Sequence, residues 1–320
     1  MLTKVLFAIG IVLIALVLSF FGLREVAGVV STTSLEPLVL AAVLQIVILF
    51  LLAFRLMLIA GKYKRLGLPE AFRISMSGMA ISMLTPIAKI GGEPLKIYQL
   101  KRRMNTPKAT AVIAVDTLAE LAISLFAVFV IFLIFLNDVP VVIFHSFIVF
   151  LVVIAVIIVA LLKLFLNPRL TAGIIRWTTR RISRFIRVEK KDYAKLFYSA
   201  FRMLIRDKKI MASIFGVSFV IKLIEFARMW LVFAAIGIFL PAQIVMIIWA
   251  VVLVLLFVPW LPGSLGLVEF FGTGALIFFG LTSGTAAAGM LIDRFISFWM
   301  VLVLGLAILT RVEMPKKLKM

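Results

Sequence analysis

Long apolar runs recur along this chain, at about 5–23, 38–60, 109–136, 140–162, 210–238 and 286–310. A run of about 20 apolar residues is what a helix needs to cross the ~30 Å hydrocarbon core of a bilayer. Composition agrees: 64% of the 320 residues are hydrophobic and the mean hydropathy is +1.24, where ordinary domains are roughly 45–50% apolar. The run at 5–23 follows Lys4 and has no convincing cleavage site, so it reads as a retained first span rather than a signal peptide.

Two stretches interrupt this apolar pattern. The first is Thr85-Pro86-Ile87-Ala88-Lys89-Ile90-Gly91-Gly92-Glu93-Pro94-Leu95-Lys96, and the second is Pro259-Trp260-Leu261-Pro262-Gly263-Ser264-Leu265-Gly266-Leu267-Val268-Glu269. Such backbone is tolerated at membrane depth only where protein or a water-filled cavity surrounds it. Excess Lys/Arg marks cytoplasmic loops, which places 61–68, 96–108, 163–209 and the C-terminus inside. The segment between 61–68 and 96–108 must then enter and return. Its first helix, about 70–85, has 16 residues and ~24 Å of length, short of a full crossing. It is expected to be a re-entrant hairpin, 70–104. The second stretch calls for the same device, 242–281.

An inverted repeat is the argument for that second hairpin. Arg55 and Arg228 are offset by 173, Pro69 and Pro241 by 172, Pro86 and Pro259 by 173, Glu93 and Glu269 by 176, and Asp116 and Asp293 by 177. The turn at Pro69 is inside by charge and the turn at Pro241 outside, so the halves are inverted. Interrupted segments at matching places of inverted halves point to a transporter's binding site. The expected fold is thus an all-α polytopic membrane protein with about six transmembrane helices and two re-entrant helical hairpins. Residues 1–136 form the first repeat and 140–310 the second, within one membrane domain at the cell membrane with both termini cytoplasmic. The loop Arg24 to Pro37 is expected to be a short polar connection.

Charged residues at membrane depth are the candidate site. Arg55, Lys89, Glu93, Asp116, Glu120, Lys222, Glu225, Arg228, Glu269, Asp293 and Arg294 are too costly to leave against lipid, so they should face an interior and pair. Lys222, Glu225 and Arg228 stack on one helix face. Asp116 and Glu120, at i and i+4, point the same way and repel unless a cation sits between them. Gly91-Gly92 before Glu93, and Pro262, Gly263 and Gly266 before Glu269, place helix N-termini with glycine approach at the two tips, a setting that favours anions. The bland reading of each pair is a static interhelical bridge; the functional reading is binding of a charged headgroup, or proton exchange; for Glu93 and Glu269, capping of the hairpin ends is a further reading.

The net charge of +20 concentrates in 163–209, with 14 Lys/Arg against three acids. There Arg176, Arg180, Arg184 and Arg187 form a basic stripe. Tyr193, Leu196, Phe197, Ala200, Phe201, Leu204 and Ile205 recur at helical spacing, as in helices that lie on an anionic leaflet. Membrane lipids are therefore the expected partners, rather than nucleic acid. Cysteine is absent, His145 is alone, and Gly263 to Gly266 lacks the lysine and strand context of a phosphate-binding loop. No metal, cofactor, ATPase or catalytic constellation is expected.

At Gly91-Gly92-Glu93-Pro94 followed by Asp116 to Glu120, and at Pro262-Gly263-Ser264-Leu265-Gly266 to Glu269 followed by Asp293-Arg294, the chain resembles the transmembrane, flippase-like domain of lysylphosphatidylglycerol synthases, including its stand-alone members. The resemblance implies an integral membrane protein that translocates or handles polar lipids. In the synthases a separate soluble domain performs aminoacyl transfer; these 320 residues show no such stretch, so synthase activity is not the expectation here. The expected function is a lipid translocase moving a phospholipid or glycolipid headgroup between the two hairpins. An ion-coupled transporter of a small soluble anion, or an accessory subunit of a lipid-modifying enzyme, are the alternatives.

Overall fold

The computed structural model describes residues 23–85, 91–134, 152, 193–256 and 261–311. All regular structure among them is helical. Four helices among the described residues are long and apolar enough to cross a membrane: α2 (Leu35–Gly61), α5 (Thr106–Ile134), α7 (Lys208–Ala235) and the segment Ser283–Leu309. The last comprises α10 (Ser283–Arg294), a π turn at Phe295–Met300 and α11 (Val301–Leu309). These match the second, third, fifth and sixth expected spans. The runs at 5–22 and, except for residue 152, at 140–162, the stripe at 176–187, Pro86, Lys89, His145 and Pro259 lie outside the described residues.

Around the spans lie shorter helices: α1 (Leu23–Ser31), α3 (Leu68–Leu84), α4 (Glu93–Leu100), α6 (Tyr193–Arg206), α8 (Ala242–Leu256) and α9 (Leu267–Phe278). The segment read as a polar loop is largely helix α1. Val26 explains it: its buried side chain packs on Ala287 and Ala288, with Val29 beside it, so tertiary burial outweighs the local polarity of Arg24 and Glu25. Prolines fall where a helix accepts them, Pro37 and Pro69 in the first turns of α2 and α3.

The chain divides into two compact units. One takes Met1–Ala53, Phe72–Lys96 and Phe219–Arg311. Its core is built around α3, which packs through Met76 on Leu49 and Val301 and through Ala80 on Leu265, Phe298 and Leu302. Gly305 makes that approach possible: a Cβ there would meet the Met76 carbonyl at 2.8 Å and Ala80 at 2.9 Å. Helix α3 spans ~26 Å from its 17 residues. After it the chain folds back: a Cβ on Gly92 would collide with the Gly78 carbonyl oxygen, and a Cβ on Gly78 would lie 2.6 Å from Lys96 Cε. A second fold-back joins α8 to α9, of 15 and 12 residues, where the Ser264 hydroxyl donates to the Leu255 carbonyl (2.9 Å).

The other unit takes Phe54–Ala71, Ile97–Ser218 and Val312–Met320. Here α6 carries a buried stripe of Phe197, Ala200, Phe201 and Leu204 and packs on α5. The Tyr63 hydroxyl donates to the Ala200 carbonyl, and Tyr193 bonds Thr110 (2.6 Å). The apolar stripe expected to meet lipid is thus occupied by protein, while Leu196 stays exposed. Partial burial pushes the Tyr63 phenol up to about 12, and the Lys62 hydrogen bond holds Asp207 below the usual carboxylate range.

Candidate functional site

The candidate charges resolve into a small number of buried networks. In the unit containing α5, Arg55 is the cation that Asp116 and Glu120 require. Its Nε donates to Asp116 (2.8 Å) and its Nη1 to Glu120 (2.7 Å). The same Nη1 donates to the Ser218 hydroxyl (3.0 Å). Arg55 is 2% exposed. Helix periodicity presents both acids to one guanidinium, one turn apart on α5.

The other unit holds the rest. Arg228 of α7 donates through Nη1 to Asp293 of α10 (2.6 Å), and the second oxygen of Asp293 accepts from Ser297 (3.4 Å). Arg294 lies on the neighbouring position of α10. It donates from Nε to Glu269 (3.1 Å) and from Nη2 to the Gly263 carbonyl (2.6 Å), and its guanidinium stacks over Phe298. Lys222 pairs with Glu225 one turn along α7 (2.9 Å), and Lys96 pairs with Glu93 one turn along α4 (3.1 Å). Removing one partner of such a buried pair leaves a charge in low dielectric, at a cost of about 3–5 kcal/mol.

The two glycine-rich tips are held by local bonds. Gly92 N–H donates to the Ser82 hydroxyl (2.8 Å), and Gly266 N–H to the Glu269 carboxylate (2.8 Å). Each of these two N–H groups meets a side-chain oxygen of its own folded-back segment. Glu269 therefore serves its own helix and Arg294 together. The turn at Pro262–Ser264 needs its glycine: Gly263 has φ +57°, and a Cβ there would strike the Phe298 ring. Ser264 adopts φ +53°, a strained position for a non-glycine residue, held by its bond to Leu255.

Three of these partners escaped the sequence reading. Ser218 lies one turn before Lys222 on α7, the only signal that it shares a face with the charges. Ser82 and Lys96 flank the first tip, and their role follows from the fold-back alone.

Four candidate spans among the described residues, two fold-backs of paired short helices and buried Arg–acid pairs define a polytopic helical membrane protein. The family model for the lysylphosphatidylglycerol synthase TM region matches residues 2–305, and the chain belongs to this family. It is similar to a UPF0104 membrane protein of Methanothermobacter thermautotrophicus, 26% identical over 319 residues, covering 95% of this chain and 93% of the relative. A second from that organism is 26% identical, covering 95% and 92%. One from Methanocaldococcus jannaschii is 22% identical, covering 95% and 93%.

Proposed function

We propose that this protein is a lipid translocase, of flippase or scramblase type, that passes a polar phospholipid or glycolipid headgroup through the interior lined by the two folded-back segments. One observation carries the reading: α3 and Leu265, from the two interrupted stretches, meet in one buried cluster with Phe298 and Leu302 of the last span. Short helices that fold back on themselves, with buried ionisable residues beside them, are the setting of a translocation site rather than of lipid-facing structure. In this reading α3–α4 and α8–α9 are re-entrant hairpins from opposite leaflets. Supporting the inverted repeat, Arg55 pairs with Asp116 and Arg228 pairs with Asp293, the residues that the offsets of 173 and 177 relate. The chain itself performs no bond chemistry and hydrolyses no ATP; an associated lipid-modifying enzyme would supply or consume the cargo. Both termini are cytoplasmic, and the basic residues of 163–209 face the anionic leaflet, α6 through its polar side.

Reconstitution into liposomes with a labelled phospholipid tests this. Expected is loss of label protection faster than in protein-free liposomes; equal protection in both overturns the reading. Topology is tested on the naturally cysteine-free chain. Single cysteines at 70 and 104 should label from the cytoplasm and at 242 and 282 from outside; labelling of 242 and 282 from opposite faces removes the second hairpin.

A further inference from the structure

Three buried arginines differ in what their nitrogen atoms do. Arginine recognises a carboxylate or phosphate best through a pair of adjacent N–H groups, of which Nε with Nη2 forms one fork. In Arg55 the Nε is held by Asp116. In Arg294 both atoms of that fork are held, Nε by Glu269 and Nη2 by the Gly263 carbonyl. Arg228 is different. Among the described residues, both hydrogen bonds it makes leave from Nη1 and end on Asp293, and its Nε is buried with no partner. The residue is 5% exposed, and a buried donor without an acceptor is expensive.

A second polar group sits at the same level. Helices α2 and α7 run antiparallel within this unit: Ser34 N–H donates to the Ala235 carbonyl (2.7 Å), and Ala41 packs with Val232 and Ile296. One turn further along both helices stand Gln45 and Arg228. Gln45 is 5% exposed, and its amide makes no hydrogen bond among the described residues. Where Arg55 finds the Ser218 hydroxyl, Arg228 Nε has no acceptor among the described residues, and the Gln45 amide stands at the same level of the neighbouring helix.

We infer that the Nε edge of Arg228, with Gln45 beside it, is the position that takes an oxyanion: the phosphate oxygens of a lipid headgroup, or free phosphate. This inference rests on the translocase reading for its lipid source and names the subsite within it. One oxygen accepts from Nε and another from Nη2, the Gln45 amide N–H donates to the same group, and Asp293 on Nη1 holds the guanidinium plane. Arg55 and Arg294, whose Nε atoms are already engaged, fix structure instead.

Binding to purified full-length protein in detergent tests this, with inorganic phosphate and dihexanoyl phosphatidylglycerol as separate probes. Wild type should bind at least one probe; a response to the lipid alone assigns the headgroup, and a response to both assigns any accessible oxyanion. Arg228→Lys keeps a cation for Asp293 but has no fork, and should weaken binding roughly ten- to a hundredfold. Gln45→Ala leaves no buried charge unpaired and should weaken it about threefold to tenfold. Lys195→Gln, on the exposed side of α6, should bind as wild type. Wild-type affinity in both the Arg228→Lys and Gln45→Ala proteins, or no binding of either probe by wild type, overturns the inference. Binding is read without transport, so its failure leaves the liposome result standing, and failed lipid movement leaves the binding result standing.

Discussion

Arg55 and Arg228 occupy matching places on α2 and α7, and each pairs with an aspartate about 60 residues on, yet their surroundings differ. Arg55 faces two carboxylates and a hydroxyl. Arg228 faces one carboxylate, with Ser297 four residues after Asp293 at the place Glu120 takes after Asp116. The first network is closed by strong acceptors on Nε and Nη1; the second leaves Nε without a partner among the described residues. The first arrangement is suited to holding helices together; the second, in the inference proposed above, to receiving a ligand.

The largest expected effect is at the closed site. Arg55→Gln strands Asp116 and Glu120 in the interior and should cost about 3–5 kcal/mol, read as a lower thermal midpoint and loss of monodisperse protein. Arg228→Gln strands one carboxylate and should cost less; equal losses would erase the distinction. Next, Gly92→Ala pushes a methyl group into the Gly78 carbonyl and should cost about 1–3 kcal/mol, whereas Gly274→Ala, with open space around it, should stay within about 0.5 kcal/mol.

Smaller still is the contrast between the two neutral partners. Ser218→Ala removes a hydrogen bond that Arg55 makes (3.0 Å) and should lower stability by about 1 kcal/mol. Gln45→Ala removes none and should leave the ligand-free midpoint unchanged within error; a loss as large as at Ser218 would make Gln45 structural.

The smallest effect concerns pH. The phenol of Tyr63, pushed up to about 12 in the folded protein by burial, ionises near 10 when unfolded. Its contribution is complete below pH 10 and is lost as pH rises through the folded value. Tyr63→Phe should flatten the fall in thermal midpoint between pH 10 and 12.

Much of this was legible in the residues. Long apolar runs matched the four candidate spans among the described residues, and the cost of charge at membrane depth anticipated that Arg55, Asp116, Arg228 and Asp293 would pair. The requirement for a cation between Asp116 and Glu120 followed from their i, i+4 spacing, and Arg55 supplies it. What stayed hidden is where one helix meets another. Periodicity defines a face of α6 but not that α5 covers it. It defines a face of α7 but not that Ser218 meets Arg55. The residues left Glu269 open between ligand binding, proton exchange and capping its hairpin end, and the fold places its carboxylate on the Gly266 N–H.

The most direct test of the account is a cryo-EM reconstruction in nanodiscs containing an anionic phospholipid. The account predicts headgroup density against the Nε edge of Arg228, level with Gln45, and none inserted between Arg55 and its two carboxylates. Phosphate density at Arg55 with an empty Arg228 edge would contradict it.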